Sequence, residues 1–514
     1  MSRPADLAGL ADAAATRWPD ATAWVFDETG HALTFLQLRD RARAIADLLS
    51  GIDVGQGDRV AVMLDNRAEF PLTWLATAYL GASLVPINTK YRDVDAGHVL
   101  DHSGASVVVA TPEFAPLLRR IAPAVRLVTT DDDRVVRAVN GDVNAETPAA
   151  LASAETPANI QYTSGTTGKP KGCVLPHRYW LTLAGGLVDG HPHLGPSDVI
   201  LTAQPFHYID PQWNVAAGLA SGARLIVLDR FHPTTFWEKV RAYRVTWFYC
   251  LGLMPTLLLR MPVHSDDHRH AVRAIHCSAI PPDLHAALEE RWRTPWYEAF
   301  GMTETGADIR LGPDDHDDTV GTGCLGRVLP YRETRIVGGD GAAVRPGEYG
   351  ELQLRGEGLM LGYHDDPDAT RTAFDGGWFH TGDLVRADDE GRIYYVGRLK
   401  DSIRRSGENI SAAEVEETLQ RHPAVGLAAV VPVSDHLRGE EVRAFVVPEP
   451  GHETGRTLAD ELDAFCRKDL AYFKVPRYWT FRDRLPLTPS ERVAKGQLRE
   501  QELDDDTFEA DRRT

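Results

Sequence analysis

At 514 residues, 43% hydrophobic and 25% charged, the chain has ordinary globular composition and is too long for one compact core, so several domains are expected and a fibrous or disordered chain is excluded. Its 55 Lys and Arg against 74 Asp and Glu leave a net charge of -19, a field that repels polyanions, so nucleic acid is no natural partner and a phosphate ligand needs a local site. The five cysteines, Cys173, Cys250, Cys277, Cys324 and Cys466, contain no close pair, which fits reduced thiols in a cytoplasmic protein and neither a disulfide framework nor a zinc knuckle.

The N-terminus carries an early acid, Asp6, and no apolar signal-peptide core, and the most apolar stretch, Leu75–Ile87, is short and holds Tyr and Ser, so no targeting segment and no membrane span are expected. β-Branched runs at Arg59–Met63, Ser106–Val109, Arg224–Leu228 and Val245–Tyr249 alternate with longer helical patterns. That alternation predicts βαβ units around largely parallel sheets. The polar stretch His264–His270 offers histidines and acids but no second cluster, and reads as a solvated loop rather than a metal site. Near Lys400 the texture changes: Gly397–Gly407 is basic and contains glycine, and new short elements follow. We therefore expect a large domain over residues 1–398 and a small one over 399–514. In the latter, Leu458, Leu462 and Phe465 recur at helical spacing behind a capping box at Thr457–Asp460, and the polar tail from Asp504 is expected to fray.

The most informative segment is Asn159–Gly172, where a strand-like lead through Thr163 enters a loop of glycines, hydroxyls and lysines. Gly165, Gly168 and Gly172 let backbone N–H groups approach a ligand closely, Ser164, Thr166 and Thr167 add hydroxyls, and Lys169 and Lys171 add charge, the chemistry of a triphosphate clamp. It is not a Walker A loop, because only two residues separate Gly165 from Gly168 and Pro170 follows Lys169.

This loop resembles the phosphate loop of the acyl-adenylate-forming superfamily, which includes acyl-CoA synthetases, peptide-synthetase adenylation domains and luciferases. Tyr297–Thr305 resembles the superfamily's second signature, Trp378–Asp383 its third and Gly397–Lys400 its hinge, while Pro205–Trp213 and Phe231–Trp237 are most similar to crotonobetaine/carnitine-type CoA ligases. The resemblance implies an α/β fold with a large N-terminal domain of βαβ layers, a β-barrel-like subdomain and a small mobile α+β C-terminal domain. It implies ATP, Mg2+ and a small-molecule carboxylic acid as ligands, with CoA as cosubstrate, and it allows a homodimer.

By the same resemblance Thr303 contacts the α-phosphate and Glu304 holds the magnesium. Phe300 stacks on adenine with Ser278, Ala279 and Ile280 along its edge, and Glu298 and Gly301 belong to the same ATP-binding set. Asp383 accepts the ribose hydroxyls, and Arg398 contacts the same sugar. His207 is either a gate between the ATP and acyl sites or a structural histidine; Asp210, Gln212, Trp213, Trp247 and Tyr249 face the acyl pocket or, for the aromatics, pack the core. Lys400 is the hinge, and Ser406, Gly407 and Glu408 line the CoA tunnel.

The pattern departs near the C-terminus, where the superfamily's Pro-x-Thr-x-x-Gly-Lys reads Pro486–Arg492, with Arg492 in place of lysine and Lys495 three residues later. Arginine keeps the charge but not the compact ammonium geometry, so either residue is expected to stabilise charge during adenylation. The expected activity is acid–CoA ligation through an acyl-adenylate. The alternatives are adenylation for another acceptor (a carrier protein, an amine, or nitrite in an ATP-dependent diazotase) and a catalytically silent scaffold.

Overall fold

A computed structural model describes residues 4–141, 153–163, 170–399, 402–405, 408–487, 493–504 and 506–510. By internal contacts the chain divides into two compact units, residues 1–334 with 354–379 and residues 335–353 with 380–514.

The larger unit is built on two sheets. In the first, the strands run in the order Gly362–Tyr363, Lys171–Pro176, Pro157–Thr163, Ser83–Pro86, Arg59–Met63, Val107–Ala110 and Arg126–Thr129. Its central pairs are parallel. Parallel strands are covered on both faces, which is why Arg59–Met63 and Val107–Ala110 are unbroken apolar runs without polar alternation. The helix Glu69–Leu80 is buried along its whole length, as a helix apolar on every side must be.

In the second sheet Thr22–Phe26, Arg224–Val227, Val199–Thr202, Trp247–Leu251, Ala274–Ser278 and Trp296–Phe300 lie parallel side by side. The strands Ile309–Arg310 and Cys324–Val328 extend it antiparallel. The buried core around Trp237, Phe248, Ile275, Leu288, Trp292 and Trp296 holds these strands against their helices. Tyr249, Ser278 and Phe300 thereby fall near the carboxyl ends of adjacent parallel strands, where α/β sheets place their ligands.

The strands Tyr349–Gly356, Phe379–Ala387 and Ile393–Arg398, most of whose residues belong to the smaller unit, are neighbours in one sheet. A second sheet pairs Val425–Asp435 with Gly439–Pro448 and packs against the helices Ala412–Gln420 and Arg456–Asp469. The capping box expected at Thr457 does not form: the helix begins one residue earlier, with Gly455 as its N-cap and no side-chain cap bond. The fold is thus mixed α/β with a larger N-terminal and a smaller C-terminal part, and among the described residues no helix is long and apolar enough to cross a membrane.

Candidate active site

The strands Pro157–Thr163 and Lys171–Pro176 pair antiparallel, with Thr163 opposite Lys171, so the two ends of the glycine-hydroxyl loop meet in one hairpin. Ser164, Gly165, Thr166, Thr167, Gly168 and Lys169 lie outside the described residues, as do Lys400, Ser406, Gly407, Arg492 and the side chain of Glu408. The strands flanking Ser406 and Gly407, Ser402–Arg405 and Glu408–Ser411, pair directly with each other.

Beside the loop's closing end, the Lys171 ammonium sits 4.9 Å above the Tyr363 ring, and the Tyr363 hydroxyl donates to Glu304 Oε1 at 3.1 Å. The Glu304 carbonyl accepts from the Met360 N–H at 2.8 Å, which fixes the backbone. A partly exposed carboxylate beside a lysine-bearing loop end suits Mg2+, whose remaining ligands are phosphate oxygens and water.

Glu304 and Thr303 ride on a tight loop from Gly301 to Gly306. The Gly306 N–H donates to the Met302 carbonyl at 2.7 Å, and the Asp308 N–H to the Phe300 carbonyl at 3.0 Å. Behind the loop lies an ion pair that the sequence did not reveal: Arg332 Nε donates to Asp308 Oδ1 at 2.6 Å, and both side chains are 0% exposed. Arg332 also donates to the carbonyls of Thr305 and Glu357, and the Thr305 hydroxyl donates to Asp308. The pair thus ties the loop's far end, at Thr305, to the strand that carries Arg332.

Glu298 plays a part that its motif did not specify. Its buried carboxylate accepts the N–H of Ala279 at 2.7 Å and of Ile280 at 2.8 Å, and so shapes the edge where Ala279 adopts a left-handed φ of 65°. Ser278 donates to the Ala299 carbonyl and meets the Tyr249 hydroxyl, each at 2.5 Å, tying the same edge to the strand that carries Phe300. Burial outweighs the backbone donors and pushes the Glu298 carboxyl up to about 8 from 4.5. The folded state therefore holds an extra proton between those values, and the associated stability is full below about 4.5 and lost as pH rises through about 8. Wild type is expected to lose thermal stability from pH 5 to pH 8 more steeply than Glu298→Gln; equal slopes in the two proteins would remove this assignment.

Asp210, Trp213, Tyr249, Ala299, Phe300 and Ala307 wall a small, partly open pocket. The Trp213 and Tyr249 rings pack 4.8 Å apart at 57°. Gln212, expected beside them, is instead buried: its amide donates to the carbonyls of Phe206 and Tyr208 and accepts from Asn159, so it braces the 206–208 turn. Trp247 is likewise withdrawn, donating to His276 Nδ1 at 2.7 Å. His207 is buried against Tyr208, its carbonyl held by Gln161 at 2.6 Å. Burial, with a smaller contribution from Lys90, lowers its imidazole to about 3, so it is neutral at physiological pH and serves by shape rather than by charge.

In the smaller unit Asp383 and Arg398 stand opposite each other in antiparallel strands, with Arg398 Nε 2.9 Å from Asp383 Oδ1. Arg398 Nη1 also donates to the Thr381 carbonyl at 3.0 Å, and the Asp383 N–H to the Thr381 hydroxyl at 3.0 Å. Asp383 is fully buried, with the Arg398 guanidinium as its ionic partner. Lys495 is engaged elsewhere, its ammonium 2.7 Å from Glu416.

One His/Glu group among the described residues has ligand atoms close enough for a metal: His285, Glu289 and His316. The Gly321 N–H donates to His285 Nδ1, which places the proton on Nε2, facing the Trp296 carbonyl at 2.9 Å. Glu289 takes the Trp296 N–H and His316 at 2.6 and 2.7 Å, so the group closes on itself as an internal brace.

Known proteins match this arrangement along the whole chain. The AMP-binding enzyme family matches residues 11–364, and the AMP-binding enzyme C-terminal domain matches residues 414–492. Sulfoacetate–CoA ligase of Cupriavidus necator is 33% identical over 504 residues, covering 96% of this chain and 97% of that protein. Crotonobetaine/carnitine–CoA ligase of Salmonella arizonae is 32% identical over 520 residues, again covering 96% and 97%. The o-succinylbenzoate CoA synthetase of Bacillus subtilis, solved with its acyl-adenylate intermediate, superposes with a TM-score of 0.86 at 26% identity over 98% of this chain and 99% of that one. The same enzyme in complex with ATP and magnesium ion gives 0.85 at 27% identity over 96% and 99%. With both parts of the family matched in order and relatives aligned over nearly the full length, this chain belongs to the AMP-binding enzymes.

Proposed function

We propose that this protein is an AMP-forming acid–CoA ligase. A carboxylate attacks the α-phosphate of ATP and displaces pyrophosphate; the CoA thiol then attacks the mixed anhydride and displaces AMP. The relatives named as CoA ligases and the acyl-adenylate complex of a structural neighbour support this reading. The observation that carries it is the Glu304–Tyr363–Lys171 group, a carboxylate set beside the closing end of the glycine-hydroxyl loop, where Mg2+ and phosphate would meet.

In this reading Lys171 and the loop hold the polyphosphate, Thr303 meets the α-phosphate, Phe300 and the Ser278–Ile280 edge frame the adenine, and Asp383 with Arg398 takes the ribose. Bound Mg2+ would supply neutralisation of phosphate charge, with Glu304 as its protein ligand. Catalysis is then positioning and electrostatic stabilisation rather than covalent chemistry on the protein. Residues 399–514 would turn about Lys400 to exchange the adenylating pose for one that admits CoA past Ser406, Gly407 and Glu408. Five buried free cysteines support a cytoplasmic setting; assembly as a homodimer is a further part of the proposal, checked by light scattering.

Mass spectrometry of a reaction with ATP, magnesium and pooled small carboxylic acids, with and without CoA, tests the assignment. A CoA-dependent thioester with AMP is expected. AMP or an acyl-adenylate formed at one rate regardless of CoA would redirect the proposal to another acceptor, and no ATP consumption would defeat it. Because Lys495 is paired with Glu416, Arg492 is the residue we assign to the substrate carboxylate and α-phosphate. Arg492→Ala is expected to slow adenylate formation by about 100-fold, the order of losing one preorganised donor, and Lys495→Ala by less than about tenfold. A larger loss in Lys495→Ala reverses the assignment.

A further inference from the structure

Behind the pocket wall formed by Ala299 and Tyr249 stands a buried cation, Arg310, that the ligase reaction itself does not require. Arg310 stands directly opposite Ala299 in the antiparallel ladder, so its side chain leaves the sheet on the same face as the pocket-lining Ala299. The residue is 7% exposed, yet its protein partners are two backbone carbonyls, Gly186 at 3.0 Å and His191 at 2.5 Å, both reached through Nη1. No carboxylate pairs with it among the described residues. Burial draws its guanidinium below the ordinary value, and the groups that oppose this are the hydroxyls of Tyr331 and Tyr249, the latter a pocket wall.

Tyr331 converges on the same place. Its hydroxyl is buried without a hydrogen-bond partner among the described residues, and it lies 2.9 Å from where a Cβ on Gly186 would sit, beside the carbonyl that Arg310 holds. A buried guanidinium with N–H groups to spare and, near the carbonyl it holds, a buried unsatisfied hydroxyl together have the chemistry that recognises an oxyanion.

We propose that Arg310 and Tyr331 bind a second anionic group on the acid substrate, so that the preferred substrates are short acids carrying a carboxylate or sulfonate at the end remote from the reacting carboxylate. This deepens, and for turnover rests on, the ligase reading above. Asp210, in the same pocket wall, sets the opposing possibility of a cationic tail held against Trp213 and Tyr249, which the test distinguishes.

The full-length protein is assayed with ATP, magnesium and CoA on succinate and sulfoacetate against butyrate and γ-butyrobetaine. We expect kcat/KM at least about tenfold higher for the two dianions, and Arg310→Lys and Tyr331→Phe each to erase most of that preference through KM. Tyr331→Phe removes a hydroxyl that no group among the described residues satisfies, so its thermal midpoint should match wild type and separate recognition from folding. A preference for butyrate or γ-butyrobetaine, or a dianion preference that survives in both variants, overturns the proposal. Calorimetric titration of succinate reads the site without turnover. Binding that weakens about tenfold in Tyr331→Phe supports the anion site even if no adenylate forms, in which case only the ligase reading fails; absent or unchanged binding overturns the site.

Discussion

Gly301→Ala should lose acyl-adenylate formation by on the order of 1000-fold while the protein remains folded. A Cβ at Gly301 would lie 1.8 Å from the Gly306 carbonyl oxygen, and the neighbour is backbone, which cannot rotate away. The loop that carries Thr303 and Glu304 would have to open by more than an ångström, and a displacement of about 1 Å already costs some 100-fold when two catalytic contacts depend on it. Gly306→Ala is the control. Its φ of 86° is strained for alanine, but the nearest atoms, 2.9 Å away, belong to the flexible Leu183 side chain, so the loss should be smaller by tenfold or more. Pyrophosphate exchange measures both variants and a thermal melt confirms folding. Near-normal exchange in Gly301→Ala would show that the tight loop is not the adenylating geometry.

Much of the fold was legible because its determinants are local. The unbroken apolar runs marked the parallel strands, and the strand-like lead into the glycine-hydroxyl loop is the strand Pro157–Thr163. The apolar stretch Leu75–Ile87 resolves into the end of the helix Glu69–Leu80, a left-handed turn at Gly81 and the strand Ser83–Pro86, which is why its length fell short of a membrane span. What the sequence hid depends on contacts between distant residues. Gln212 reads as a pocket amide until Asn159, 53 residues away, claims its oxygen. Lys495 reads as a free cation until Glu416 is found beside it. The Asp383–Arg398 pair was readable from motif context, but not the ladder register that sets the two side by side. Arg310 stood in a motif's wake with no signal, because a buried cation without a carboxylate can be recognised only once its surroundings are known.

Arg332→Met should destabilise the larger unit by about 3–5 kcal/mol, the cost of leaving one partner of a buried ion pair uncompensated. Asp308, whose carboxyl burial already draws upward, would lose the cation that opposes this shift, and the carbonyls of Thr305 and Glu357 would lose their donor. Asp308→Leu combined with Arg332→Met removes the stranded carboxyl and should recover most of that loss, since apolar replacements of a buried pair are often neutral or better. Activity should not recover with it. The Thr305 hydroxyl and carbonyl, which the pair holds from behind, would have no fixed partners, and Thr303 and Glu304 would no longer be presented in one arrangement. Urea denaturation and adenylate formation, measured on the same three proteins, separate the two effects. If the double variant regains both stability and rate, the ion pair is only a structural tie and the loop keeps its shape without it; if it regains stability alone, the pair exists to position the residues that meet ATP.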